Sequence, residues 1–126
     1  MSSGKITLEQ RKASLHYHVQ EYRKRRVIID TDAACEADDP FAIAQALMSK
    51  MLEVKGICAE HFVEEGSMEQ SYEMICCVTE AMGTEVPVLR GQTGKMSEHH
   101  GEPMTEAAQF IVGEAMKEDD KPLFVL

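Results

Sequence analysis

Three features that define other classes of protein are missing from this sequence. No apolar run approaches the roughly 18 residues that a membrane-spanning helix needs. The segment that follows Met1 lacks the apolar stretch of a signal peptide. The four cysteines form no C-x-x-C pair, and without a secretion signal reduced thiols are the default. We therefore expect a soluble, cytoplasmic protein that makes no contact with a membrane.

Positive charge is also scarce over most of the chain, whose 126 residues carry a net charge of −9. Residues 1–26 hold seven of the 13 Lys and Arg residues and two of the 22 acidic residues. The rest of the chain is therefore strongly acidic, and an acidic surface repels the phosphates of DNA and RNA. The sequence thus argues against a nucleic-acid partner, and we interpret the basic cluster Arg23–Arg26 as a solvated helix end.

The chain does contain a regular alternation of short apolar runs and amphipathic segments. Apolar runs predict strands at residues 27–29, 52–59, 86–91 and 122–126. Helical spacing of apolar residues predicts helices at residues 7–24, 40–50, 67–82 and 104–117. This alternation predicts an α/β fold, a parallel doubly wound (Rossmann-like) sheet with helices on both faces. We divide the chain into an amino-terminal helical extension, residues 1–25, and an α/β domain, residues 26–126.

The acidic residues that follow the first predicted strand carry the strongest functional signal. Ligands of doubly wound sheets bind at the carboxyl ends of the strands. Five carboxylates lie within ten positions there: Asp30, Asp32, Glu36, Asp38 and Asp39. They would repel one another unless a cation neutralised them, and oxygen ligands suit Ca²⁺ or Mg²⁺ better than zinc. Acids at a helix start explain Asp38 and Asp39 without a metal, but they do not explain acids that leave a buried strand.

The same segment resembles the amino-terminal signature of nucleoside hydrolases. The common spelling in that family is D-T-D-P-G-x-D-D-x-x-A, and here Asp30-Thr31-Asp32 is followed, after a longer spacer, by Asp38-Asp39. Further similarity lies in Ala59-Glu60-His61-Phe62, in residues 66–73 and in residues 86–91. The resemblance covers residues 26–126. It implies a divergent branch of the inosine/uridine-preferring type and the fold of its amino-terminal half.

The resemblance also implies roles for individual residues. Asp32 and Asp39 match carboxylates that bind Ca²⁺ in the family, and Asp38 matches the general base that takes a proton from the attacking water. Asp30 matches an acid that supports the site. The implied activity is hydrolysis of the N-glycosidic bond of a nucleoside, a small molecule, with Ca²⁺ or Mg²⁺ as the cofactor. His61 is a candidate substrate-facing residue, and an ordinary loop histidine is the equal alternative.

Members of that family are typically more than twice as long as this chain, and their later segments supply further metal and sugar ligands. We therefore expect the chain alone to hold only part of the metal and sugar site. Whether it is an enzyme stays open. One alternative is a non-catalytic metal-binding module that another chain completes. In addition, an apolar segment at 122–126 that lacked its usual neighbours would pair readily with a second chain, which predicts a homo-oligomer.

A weaker alternative is a haloacid dehalogenase-like phosphatase. An apolar strand followed by D-x-D resembles the first motif of that family, with Asp30 as the nucleophile and Asp32 as the acid/base. That interpretation leaves Asp38 and Asp39 without a role.

Overall fold

A parallel sheet forms the centre of the structure, a computed structural model that describes residues 4–126. Its strands are β1 (Arg25–Thr31), β2 (Leu52–Ala59), β3 (Val88–Arg90) and β4 (Leu123–Val125), in the order β3-β2-β1-β4. Every neighbouring pair is parallel. The first three residues of the predicted extension lie outside the described residues. The predicted parallel α/β sheet is confirmed, with β3 and β4 at its edges.

Helices cover both faces of this sheet, as predicted. They are α1 (Leu8–Ala13), α2 (Asp38–Met48), α3 (Ser67–Met82) and α4 (Glu106–Ala115). On one face, Ile29 of β1 packs in a cluster with Ile43 of α2 and Ile75 of α3. On the other face, Ile28 packs with Ala107 of α4. Among residues 4–126, no helix is both long enough and apolar enough to cross a membrane.

Strands β1 and β2 are out of step at one point. Val27 pairs with Val54, but Ile28 pairs with Gly56, so Lys55 is an extra residue in β2. A Cβ atom at Gly56 would collide with the ring of Phe110 in α4. Glycine at this position therefore lets α4 approach the sheet closely.

The helix predicted over residues 7–24 is wrong beyond α1. The hydroxyl of Ser14 donates to a carbonyl of the last turn at 2.7 Å, and the regular helix ends there. Lys50 then binds the following segment, because its Nζ donates to the carbonyls of Leu15 and Tyr17 at 2.8 and 2.7 Å. These tertiary hydrogen bonds hold the chain in a non-helical path until a short 3₁₀ turn immediately before β1.

Other predicted bounds differ by a few residues. α2 begins at Asp38, so Asp39 lies in its first turn and does not cap it. α3 has the predicted bounds, and Gly83 ends it in the left-handed conformation with φ of 76°. The strand predicted at 122–126 is reduced to β4, whose Phe124 and Val125 are about half exposed at the edge of the sheet. The homo-oligomer expected from this edge stays a prediction.

Candidate functional site

The carboxyl ends of β1, β2 and β4 border a cleft of about 520 Å³. Its polar lining consists of Asp30, Thr31, Asp32, Asp39, Glu60 and His61. Among the described residues that line it there is no Lys or Arg. The cleft therefore gathers carboxyl groups from two strands and one helix without a cationic side chain between them.

Asp32 and Asp39 form the first carboxyl pair of the cleft. Asp32 follows β1, and Asp39 lies in the first turn of α2. The Thr31 hydroxyl, which is buried at the end of β1, donates to Oδ2 of Asp39 at 2.8 Å and so fixes the start of α2 against the strand. Burial, a hydrogen bond with Asp39 and the negative charges of Asp39 and Asp38 raise the pKa of Asp32.

Asp30 and Glu60 form a second carboxyl pair across the two central strands. Asp30 pairs in register with Cys58, and Glu60 follows β2 two residues later. The backbone N–H of Glu60 donates to the carbonyl of Thr31 at 2.9 Å, which holds the two chain segments together. Burial, a hydrogen bond with Asp30 and the charge of Asp30 raise the pKa of Glu60 to about 8. At neutral pH Glu60 therefore keeps its proton in most molecules.

His61 lies in the wall of the cleft and is half buried. Its Nδ1 is shielded from water and has no hydrogen-bond partner among residues 4–126. A buried nitrogen without a partner costs about 1–3 kcal/mol. His61 thus lines the cleft, and the hypothesis that it faces a ligand stays a prediction.

Asp38 is the one acid of the implied set that does not line the cleft. It lies in the first turn of α2, beside Asp39, and its side chain is exposed to solvent. Its charge nevertheless reaches the first carboxyl pair, since it contributes to the raised pKa of Asp32. Glu36, which the sequence grouped with these acids, is also exposed and lies outside the lining.

Sequence reasoning gave no role in the cleft to Glu60 or Thr31. Glu60 directly follows β2, so the rule that parallel strands deliver ligands at their carboxyl ends was a signal that pointed to it. Thr31 alternates with Asp30 along β1, and period-two alternation places it on the face that α2 covers. Thr31 lies between Asp30 and Asp32, and Glu60 directly precedes His61. Both therefore adjoin residues that the sequence did predict as site residues.

The donor set of the cleft fits a cation in part. Among residues 4–126, no group of three or more His, Cys, Asp or Glu side chains is arranged to hold a metal ion. The contacting carboxyls of Asp32 and Asp39 are hard oxygen donors of the type that Ca²⁺ and Mg²⁺ prefer. Ca²⁺ takes about six to eight oxygen ligands. These two side chains would therefore supply a minority of the ligands, and water, backbone carbonyls or a bound ligand would supply the others.

Comparisons of the chain with known protein families, curated proteins and solved structures gave no match. Function is therefore inferred from the cleft itself and from the acidic motif that leads into it.

Proposed function

We propose that the protein is nucleoside hydrolase-like, with a cleft that binds the sugar of a nucleoside beside a Ca²⁺ or Mg²⁺ ion. The carboxyl pair of Asp32 and Asp39 carries this proposal. The two groups contact each other at the end of a buried strand, and no described cationic side chain lines the cleft. An uncompensated pair of this kind is unfavourable, and a bound cation would offset the repulsion.

Each acid then has a distinct role in cleavage of the N-glycosidic bond. Asp32 and Asp39 would hold the cation, which when bound lowers the pKa of water and orients hydroxyl groups. The resemblance gives Asp38 the role of the general base, which would accept the proton of the water that attacks the sugar carbon as the bond to the base breaks. Because its exposed side chain lies outside the lining of the cleft, this role requires the side chain to turn toward the cleft when the ligand binds. The Asp30–Glu60 pair would hydrogen-bond sugar hydroxyls and would stabilise positive charge that develops on the sugar ring.

We expect the chain on its own to bind Ca²⁺ weakly and to release base from nucleosides at a negligible rate. Two contacting carboxyls are a small part of a calcium coordination sphere. Catalysis also needs the water, sugar and leaving base held together in one geometry. A non-catalytic metal-binding module completed by another chain is the alternative that this partial donor set also supports.

The phosphatase alternative gains no support from the cleft. Phosphate groups are bound in proteins by Arg, Lys and backbone N–H groups, and the described lining carries acids without a Lys or Arg. An assay that compares inosine and uridine with a phosphomonoester separates the two activities. Free base would indicate a nucleosidase, whereas inorganic phosphate would indicate a phosphatase.

Calcium titration of the full chain in a calorimeter tests the proposed cation site. We expect the double variant Asp32→Asn, Asp39→Asn to lose at least about tenfold in Ca²⁺ affinity, because both contacting carboxylates are removed. Glu36→Gln is the matched control, because Glu36 is an exposed acid of the same segment that does not line the cleft. The control should bind within about twofold of the unmodified chain. Equal Ca²⁺ binding by all three proteins would refute the assignment.

A further inference from the structure

Thr31 is the last residue of β1, and its neutral side chain contacts one of the two acids of the first carboxyl pair. Both Thr31 and Asp39 line the cleft. The hydroxyl donates to Oδ2 of Asp39 at 2.8 Å, since an ionised carboxylate only accepts hydrogen bonds. Asp39 lies in the first turn of α2. One hydroxyl therefore joins the end of the strand to an acid on the helix.

The strand holds Thr31 in a fixed position. Its backbone pairs in register with Ala59 of β2, and its carbonyl accepts the N–H of Glu60 at 2.9 Å. Thr31 is also buried, and the branched Cβ of threonine restricts rotation about χ1. The hydroxyl is therefore presented to Asp39 from a restrained side chain on an inner strand of the sheet.

On the helix side, capping of α2 does not set the position of Asp39. Ala37, the residue that precedes α2, makes no side-chain capping bond. The amino terminus of a helix has free N–H groups, and these attract a carboxylate in the first turn. The hydrogen bond from Thr31 draws the carboxylate of Asp39 toward the strand instead, and there it contacts Asp32.

We propose that Thr31 is a positioning residue for the cation site, and that it acts by holding the carboxylate of Asp39 beside that of Asp32. This inference rests on the proposed function, because those two acids form the proposed site. A side chain that already has its binding orientation loses less conformational freedom when a ligand binds. Without the hydroxyl, Asp39 would sample other rotamers, and the affinity for Ca²⁺ would fall.

Two substitutions at Thr31 separate the hydroxyl from the methyl group. Thr31→Val keeps the branched shape and removes the donor, whereas Thr31→Ser keeps the donor and removes the methyl group. Backbone amide NMR of the full chain during a calcium chloride titration measures weak affinities and shows whether each variant is folded. We expect Ca²⁺ affinity to fall at least about fivefold in Thr31→Val and to stay within about twofold in Thr31→Ser.

Urea denaturation of the same variants distinguishes positioning from a purely structural role. Each substitution removes a buried group, so both should lower the free energy of unfolding. If Thr31 only stabilised the fold, Ca²⁺ affinity would follow stability in the two variants, whereas we expect it to follow the hydroxyl. A smaller loss of affinity in Thr31→Val, or an equal loss in Thr31→Ser, would overturn the proposal.

A double variant tests whether Thr31 acts through Asp39. In the Asp39→Ala background the hydroxyl has lost its acceptor, so adding Thr31→Val should change Ca²⁺ affinity by less than about twofold. An effect in this background as large as in the unmodified chain would overturn the proposal, because Thr31 would then act on Ca²⁺ binding by another route.

The same titrations keep the failure of this inference distinct from the failure of the proposed function. If the unmodified chain does not bind Ca²⁺, the cation site is refuted and the role of Thr31 with it. If the unmodified chain binds Ca²⁺ and the Asp32→Asn, Asp39→Asn variant binds it more weakly, the cation site stands. An unchanged affinity in Thr31→Val would then overturn the role of Thr31 alone.

Discussion

The two ends of β1 differ in whether their acidic side chains have cationic partners. At the amino end, Arg26 is not part of a solvated helix end, as the sequence suggested, but lies in β1 and is only 5% exposed. Its guanidinium donates to the carbonyls of Lys121 and Glu114 at 3.0 and 3.3 Å. It also lies 3.7 Å from a carboxylate oxygen of Asp119 and 3.9 Å from one of Glu114. Nearby, a hydrogen bond from Lys121 lowers the pKa of Glu53. The acids at this end are compensated by cations.

At the carboxyl end of the same strand, acids face other acids. Asp30 contacts Glu60, and Asp32 contacts Asp39, and burial together with these contacts raises the pKa of Glu60 and of Asp32. Between the two ends lie the buried apolar residues of β1. The paired charges at the amino end of β1 stabilise the fold, whereas the acids at its carboxyl end have no cationic partner in the described lining of the cleft. A departure of this kind from charge pairing is expected where a protein binds a ligand.

Removing the cation at the compensated end should have the largest effect. Arg26→Met deletes the buried guanidinium and leaves the carboxylates beside it without their partner, so we expect a loss of about 3 kcal/mol in the free energy of unfolding. Urea denaturation at neutral pH measures this loss. Arg23→Met, at an exposed position just before the strand, should change stability by less than about 0.5 kcal/mol. A loss below about 1 kcal/mol for Arg26→Met would mean that the pairing is not stabilising.

The acids at the carboxyl end of β1 should make the free energy of unfolding depend on pH. Glu60 has a pKa of about 8 in the folded protein against a usual value of 4.5. Between these values the folded state keeps a proton that the unfolded state has lost, so stability falls as pH rises from about 4.5 to 8. We expect a decrease of about 2 kcal/mol, less than the full shift implies, because the side chain is partly solvated.

Glu60→Gln should flatten this pH dependence, because glutamine keeps the shape and does not titrate. Urea denaturation at several values between pH 5 and pH 8 provides the measurement. The control is Glu65→Gln, which neutralises an exposed acid outside the cleft and should retain the slope of the unmodified chain. An equally steep slope in Glu60→Gln would show that another group causes the pH dependence.

The smallest expected effect has the opposite sign to that of Arg26→Met. In a buffer free of divalent cations, Asp32→Asn should stabilise the protein at pH 7 by ~0.5 kcal/mol, since it removes a half-buried charge that contacts Asp39. Thermal unfolding in a chelating buffer detects this gain. The same change at exposed Glu118, Glu118→Gln, should have no effect on stability. A loss of stability in Asp32→Asn would indicate that its carboxylate is stabilised by contacts other than a cation.

The order of strands and helices could be predicted because its signals are local. The apolar run of β1 and the periodic pattern of α3 with Gly83 at its end each lie within one short segment. The end of α1 could not be predicted in this way, since the residues that follow it are bound by Lys50, more than 30 positions away. Tertiary hydrogen bonds override helical spacing there.

The residues of the candidate site also differ in whether a local sequence pattern could predict them. Asp30, Asp32 and Asp39 belong to one contiguous motif, and the structure places all three in the cleft. Glu60 was missed because its partner is set by the pairing of β1 with β2, and no local pattern in either strand specifies that register.

The extra residue in β2, accommodated as a bulge, determines which face of the sheet each later residue of that strand occupies. Val54 packs on the face of α2 and α3, Lys55 takes up one position, and Gly56 faces α4. Deleting Lys55 would remove the bulge and leave every later residue of β2 on its present face, because Val54 and Gly56 already face opposite sides of the sheet. Deleting Ile57 would instead exchange the two faces for the residues that follow it. Cys58 would then point toward α2 and α3, and the side chain of Glu60 would leave the face on which it meets Asp30. A single-codon deletion at Ile57 would thus disturb the cleft about as much as the core, whereas the deletion of Lys55 would not change any side chain's face.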